Sequence, residues 1–280
     1  MTPSLDAIRP DLDAVVDREG TISIWAGPVG GPPAFTRDAD RPHYAASTTK
    51  VAILVALYRA AEAGLLGLAD EVEVRNEFAS AKSGAPPFGI DIDEDNDDAV
   101  TARLGAKATL RWLAGRMIVR SSNLATNLVL AAVKRSGTDV NDVWRDAGAT
   151  NSRTERGIDD KAARLSGLTN QVTAADLAAL FSAIAHGTAA SPDSCKAMMR
   201  TLLAQEYRED LPAGLPPGTP VASKNGWITG VRHGAGVVMP PGEPPFVLVV
   251  CTTTTLGEAE GAALVARVAE AAWRDRKAFT

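Results

Sequence analysis

The chain is short of the residues on which several function classes depend. It has two cysteines, Cys195 and Cys251, in 280 residues, too few for a disulfide framework and spaced for no zinc motif. Each reads as a half-buried free thiol, since unpaired cysteine packs as a small hydrophobe. The three histidines, His43, His186 and His233, are too dispersed to suggest a histidine-based triad, and His186, directly before Gly187, reads as a helix-end group favoured by the dipole. No Lys/Arg block accompanies the formal charge of −5, which argues against nucleic acid or an anionic membrane as a partner. No apolar run approaches the ~20 residues of a membrane span. Residues 1–20 show no basic and apolar segments of a secretory signal, so a cytoplasmic location is expected, although a trimmed secreted form would look the same.

Four common catalytic signatures are also missing. There is no G-x-S-x-G elbow, no G-x-x-x-x-G-K-[ST] loop, no strand-linked G-x-G-x-x-G and no H-E-x-x-H. The acidic run DIDEDNDD, residues 91–98, has Asn96 where a calcium-binding EF-hand loop needs glycine and Ala102 where it needs glutamate, and it reads as a solvated loop. Neither a metal nor a cofactor is expected.

What is present is an ordinary globular composition, 45% hydrophobic and 22% charged, sufficient for one large domain or two interlocked ones. A first helix is expected near residues 4–18, then strands over 20–28 and 33–41 joined by a Gly/Pro turn. Near the other end, 219–228, 233–240 and 245–254 read as three more strands, followed by a closing helix over roughly 257–275. Between them the pattern is helical, with segments over 108–118, 123–133 and 173–187. The fold class is therefore α/β (α+β): a five-stranded antiparallel sheet built from both chain ends, flanked by terminal helices, with an all-helical insertion. The expected division is 1–47 with 207–280 as the sheet domain and 48–206 as a mainly helical domain, the active site lying between them.

Chemistry enters at HYAASTTKVAILVALYRAA, residues 43–61. Ser47 and Lys50 are one helical turn apart, so the amine can reach the hydroxyl. Burial among Val51, Ile53, Leu54, Val55 and Leu57 would depress the lysine pKa and allow a neutral amine to take the serine proton. One S-x-x-K is expected by chance in a chain of this length, and alone it reads as a helix cap. Two further elements follow in order. Ser121-Ser122-Asn123 stands at a helix break, and Lys224-Asn225-Gly226 lies inside a strand. Ser121 could relay a proton and the Asn123 amide could bind a carbonyl. Lys224 offers positive potential for a substrate carboxylate, while Gly226 lets a substrate lie close to the backbone.

With these three elements the chain resembles the penicillin-recognising serine hydrolases, and especially the class A β-lactamases, whose S-x-x-K, S-D-N and K-T-G pattern it follows. The likeness spans roughly residues 12–275 and includes MIVRSSNLATNLVL. It implies that Ser47 is acylated, that Lys50 and Ser121 transfer protons, and that Asn123 and Lys224 bind substrate. It implies an oxyanion hole from the backbone N–H groups of Ser47 and Trp227, and an Asn127 that braces the loop over the site. Asn225, Gly226, Arg232 and His233 complete the expected substrate-binding set.

The departures are specific. Ser122 replaces the aspartate of S-D-N, Asn225 replaces the hydroxyl residue of K-T-G, and the interval before Ser121 is lengthened by the acidic segment. The resembled loop carries a deacylation glutamate in a pattern like R-x-E-x-x-L-N. Here Ile158 falls near that position if Arg156 is the matching arginine, leaving Glu155, Asp159, Asp160 or His233 as substitutes. The expected function is a serine acyl hydrolase that acts on a small-molecule ester, amide or lactam, one bearing a carboxylate being suited to Lys224. The alternatives are a penicillin-binding or sensing protein or D-Ala-D-Ala peptidase-like module that stays acylated, and an interaction protein with a vestigial pocket.

Overall fold

A computed structural model describes residues 4–16 and 20–279. Its main sheet has five antiparallel strands: β1 (Thr21–Pro28), β2 (Phe35–Arg37), β3 (Val221–Ile228), β4 (Val231–Val238) and β5 (Phe246–Thr253). Their spatial order is β2-β1-β5-β4-β3, so the two chain ends meet at the β1–β5 pair and β3 forms one edge. The expectation of a sheet assembled from both termini holds. The first helix, α1, is Arg9–Val16; residues 17 and 18 of its expected span lie outside the described residues.

The sheet is buried on both faces, which explains why β5 reads as an unbroken apolar run. Leu248 and Val250 point to one side and join Ile22, Ile24, Leu12 of α1, and Leu264, Val265 and Val268 of the closing helix. Val247, Val249 and Cys251 point to the other and join Trp25, Ala235 and the helical body. Successive side chains alternate across a strand, so a two-sided burial needs apolar residues at every position. The closing helix, Glu258–Asp275, has a Gly257 N-cap whose N–H is answered by Glu260.

The body contains α2 (Lys50–Glu62), α3 (Leu110–Val119), α4 (Asn123–Arg135), α5 (Ala174–His186) and α6 (Pro192–Leu203). Helix α2 is buried from Lys50 through Tyr58, as an all-round apolar sequence requires. Its neighbours are capped where the sequence suggests: Thr109 accepts from Trp112 N, Thr173 accepts from Asp176 N, and α5 ends on Gly187 at φ +79°. The body is not all-helical, however. Short strands at His43–Tyr44, Asn170–Val172 and Arg153–Thr154 form a small sheet, and Glu71–Glu73 pairs with Lys107–Thr109. Elements of two or three residues are too short to show a two-residue periodicity.

The sheet edge is pressed against the start of the body. Gly226 on β3 has so little clearance that a Cβ would stand 2.8 Å from Ser47 N and 3.1 Å from Ala46 Cβ. Glycine is required by proximity alone. Gly226→Ala should therefore push the Ala46–Thr49 turn off the strand and destabilise the protein by about 1–3 kcal/mol, measured by urea denaturation. A variant as stable as the parent would show that the turn yields without cost.

Candidate active site

Ser47 sits in a 3₁₀ turn, Ala46–Thr49, that leads directly into α2. It is half-buried, whereas Lys50, Ser121 and Lys224 beneath it are fully buried. Ser47 and the half-buried Asn123 thus keep some exposure, whereas the two lysines have none. Lys50 Nζ donates to Ser121 O at 2.7 Å, Ser121 Oγ at 3.2 Å and Asn123 Oδ1 at 2.8 Å. These contacts fill its three donor sites, so its tie to Ser47 is their shared helical turn rather than a formed hydrogen bond.

Desolvation is the largest influence on Lys50 and lowers its pKa to about 7, against the opposing fields of Asp95 and Asp159. The neutral amine required of a proton acceptor is then well populated near neutrality. Lys224 is pushed well below its ordinary range by burial first and by the Lys50 charge second. It donates to Asn225 O at 2.9 Å and to Asn225 Oδ1 at 3.2 Å.

Strain collects in the same place. Four non-glycine residues have positive φ among the described residues, and three of them are here: Ala46 at +44°, Ser121 at +56° and Asp159 at +64°. Such conformations cost on the order of 1–3 kcal/mol each and persist only where the surroundings hold them.

The structure brings Ser47, Lys50, Ser121, Asn123, Lys224 and Gly226 together and turns three expected contacts away. Asn225 follows the alternation of β3 to the face opposite Gly226, where its Nδ2 donates to buried Asp210 at 2.8 Å. Arg232, opposite Trp227 in the β3–β4 register, is on that same far face and forks onto Asp210 at 2.6 and 3.0 Å. The Trp227 ring packs against Tyr207 and the Arg232 guanidinium, with centroid distances of 4.9 and 5.2 Å. His233 faces inward but is fully buried. Its Nδ1 accepts from Thr252 N, so its Nε2 donates to Tyr44 O at 2.8 Å. It braces the segment leading to Ser47 and has no free nitrogen for substrate.

The loop over the site is fixed through its backbone. Asn127 donates to Ile158 O at 3.0 Å and accepts from Ile158 N at 2.8 Å, fulfilling its expected bracing role. Buried Asp160 accepts from Ser80 Oγ, Ala81 N and Ala163 N. Glu155 accepts from Thr169 N and pairs with Arg153. Of the acids considered for water activation, Asp159 is the exposed one whose field reaches Lys50.

The acidic run is only partly solvated, contrary to expectation. Asp95 accepts from Asn123 N at 2.6 Å and Ser122 Oγ at 2.8 Å, while Asn96 Nδ2 donates to Ser121 O at 3.3 Å. Asp97 is buried in an ion pair with Arg116. Sequence reasoning missed these residues and Asp210; the one available signal was Ser122, a serine in a position that resembles an aspartate.

The model of the Beta-lactamase enzyme family matches residues 7–275. A curated β-lactamase from Streptomyces lavendulae is 30% identical over 157 residues, covering 54% of this chain and 50% of that protein, so the chain spans about half the length of the relative. Among solved structures, a β-lactamase from Sphaerobacter thermophilus is 26% identical, with a TM-score of 0.79 and 98% of each chain covered. A leucine-to-glutamate mutant of PBP-A, solved as an acyl-enzyme with penicillin G, is 22% identical, with a TM-score of 0.76, covering 99% of this chain and 98% of that one.

A buried lysine titrating near 7 makes stability depend on pH. The unfolded state binds this proton up to about 10.5 and the folded state only up to about 7, so between those values the wild type loses stability as pH falls. The difference in unfolding free energy between Lys50→Met and wild type should therefore move in the variant's favour as pH drops from about 10 to about 7, then level off. Urea denaturation at several pH values measures it, and a pH-independent difference would place the Lys50 titration elsewhere.

Proposed function

The chain belongs to the beta-lactamase enzyme family, and from that premise we propose that it is a serine acyl hydrolase whose nucleophile is Ser47. The supporting observation is the half-buried serine one helical turn before a Lys50 that is hydrogen-bonded to Ser121 and Asn123 and poised near neutrality, with Lys224 buried within reach of its charge. Neutral Lys50 takes the Ser47 proton as Oγ attacks a carbonyl carbon. The backbone N–H groups of Ser47 and Trp227 receive the oxyanion. Ser121 passes its proton to the leaving nitrogen or oxygen as that atom's bond to the acyl carbon breaks, and takes a replacement from the Lys50 ammonium that it contacts, leaving an ester on Ser47 and a neutral Lys50. Hydrolysis of that ester by water regenerates the serine.

Acylation is well provided for and deacylation is not. Ile158 offers no base, Asp160 and Glu155 are occupied, and His233 is sealed in the interior. Asp159 remains as a slow substitute for small esters. A substrate carboxylate would reach Lys224 only by displacing part of what covers it, and without help from Asn225 or Arg232, both committed to Asp210. The substrate is accordingly an ester, amide or lactam, with weak turnover of penicillins. The PBP-A mutant solved as an acyl-enzyme with penicillin G supports the view that this fold can carry an acyl group. A sensing module that remains acylated is the second reading, favoured by the same absence of a base.

Mixing the protein with penicillin G and quenching at intervals for intact mass spectrometry should give an adduct on Ser47 that persists for minutes, and none in Ser47→Ala. The loss of a general base typically costs about 10²- to 10⁴-fold, so Ile158→Glu, held by the Asn127 clamp, should shorten the adduct's life. Rapid product formation without adduct in the parent would overturn the deacylation argument, and labelling of Ser47→Ala would overturn the nucleophile.

A further inference from the structure

The run DIDEDNDD supplies something that the S-S-N element lacks. The turn at Ser121–Asn123 has to hold Ser121 at φ +56°, present Ser121 O, Ser121 Oγ and Asn123 Oδ1 to Lys50, and start α4. A serine stands in the middle of it, where the resembled motif has an aspartate. The Asp95 carboxylate reaches this turn from 27 residues earlier and binds both of the residues after Ser121, the hydroxyl of Ser122 and the N–H of Asn123. Ser122 Oγ in turn caps α4 by accepting from Ala125 N at 3.0 Å. A carboxylate at a helix start is favoured by the exposed N–H groups and the dipole. Next to it Asn96 holds Ser121 O, and Asp97 anchors the segment to Arg116 of α3.

We propose that Asp95 is a positioning residue that locks the Ser121–Asn123 turn onto Lys50, and that the acidic segment thereby returns from a distance the carboxylate missing between Ser121 and Asn123. This inference rests on the acylation reading above. Two effects are combined in one side chain. Its hydrogen bonds fix where the Lys50 acceptors lie, and its charge opposes the desolvation of the ammonium. The other charged groups that act with Lys50 are Asp159 from the covering loop and Lys224 from β3.

Replacing Asp95 separates the two effects. Asp95→Asn keeps an acceptor for Asn123 N and can still meet Ser122 Oγ, but it removes the charge; Asp95→Ala removes both. Exposed Asp93 in the same segment makes no side-chain contact with the turn, so Asp93→Asn serves as the control. The rate of Ser47 acylation by a p-nitrophenyl ester, read as the burst and confirmed by intact mass, would be followed from pH 5 to 9. In the parent it should rise through about pH 7 as Lys50 loses its proton. Loss of a neighbouring negative charge lowers a lysine pKa, so both Asp95 variants should shift this limb to lower pH, by at least about half a unit. The plateau rate should fall at least about tenfold in Asp95→Ala, as expected of a displaced catalytic group, with partial rescue in Asp95→Asn. Asp93→Asn should match the parent.

A plateau in Asp95→Ala within about twofold of the parent overturns the positioning role. A lowered melting temperature with an unmoved pH limb overturns the proposal in favour of simple helix capping. If the parent itself acquires no acyl group on Ser47 from ester or penicillin, the acylation reading fails, and this inference with it; labelling of the parent with unchanged Asp95 variants defeats the inference alone.

Discussion

A lysine ammonium held out of water by a serine–asparagine turn is the contact around which the site is arranged. Burying a charge without partners is prohibitive, and burying it with too good a set of partners would fix it in the protonated form. Lys50 lies between these limits. Two of its three acceptors are neutral side-chain oxygens and one is a carbonyl, while the carboxylates that favour its charge stand behind the turn or out on the loop. The resulting pKa near 7 is the property that proton transfer demands. It is obtained at the expense of positive-φ conformations at Ala46, Ser121 and Asp159, which the two apolar layers on either side of the sheet must offset.

The sheet edge completes the arrangement through strand alternation. Lys224 and Gly226 share one face of β3, where Gly226 meets the Ser47 turn; Asn225 lies on the other face and joins Asp210 and Arg232. Three neighbouring letters of a motif therefore have two destinations. The far-face cluster still matters to the near face, because Asn225 accepts from Lys224 while donating to Asp210, tying the buried amine to a buried ion pair.

Most of the fold was legible because its long elements carry strong local signals. Strands β1, β3, β4 and β5 are marked by apolar runs and Gly/Pro turns, and the main helices by Thr109, Ser122 and Thr173 at their caps. The short strands of the body were not, being stabilised by neighbours rather than by their own pattern. In the site, Ser47, Lys50, Ser121, Asn123 and Gly226 could be placed from spacing along helices and a strand. Arg232 and His233 could not, because a polar residue near a motif looks the same in sequence whether it meets substrate or a buried partner. Asp95 was read as solvated for a similar reason: its partners are 27 and 28 residues away, and only folding brings them together.

The covering loop is built on a different principle from the network beneath it. Its clamps grip the backbone of Ile158 through Asn127 and the backbones around residues 155 and 156 through Asn170. Arg156 adds a bond to Tyr44 Oη, linking the loop to the strand that precedes Ser47. None of these bonds depends on the side chain at position 158. The loop can thus keep its place whatever that side chain is, so the group it presents over the site is open to change by substitution without rebuilding the fold. The network beneath it has no such freedom. Lys50 is held by Ser121 O, Ser121 Oγ and Asn123 Oδ1, and Asp95 holds the same turn through Ser122 Oγ and Asn123 N, so a change in Ser121, Asn123 or Asp95 alters the acceptors or the field felt by Lys50.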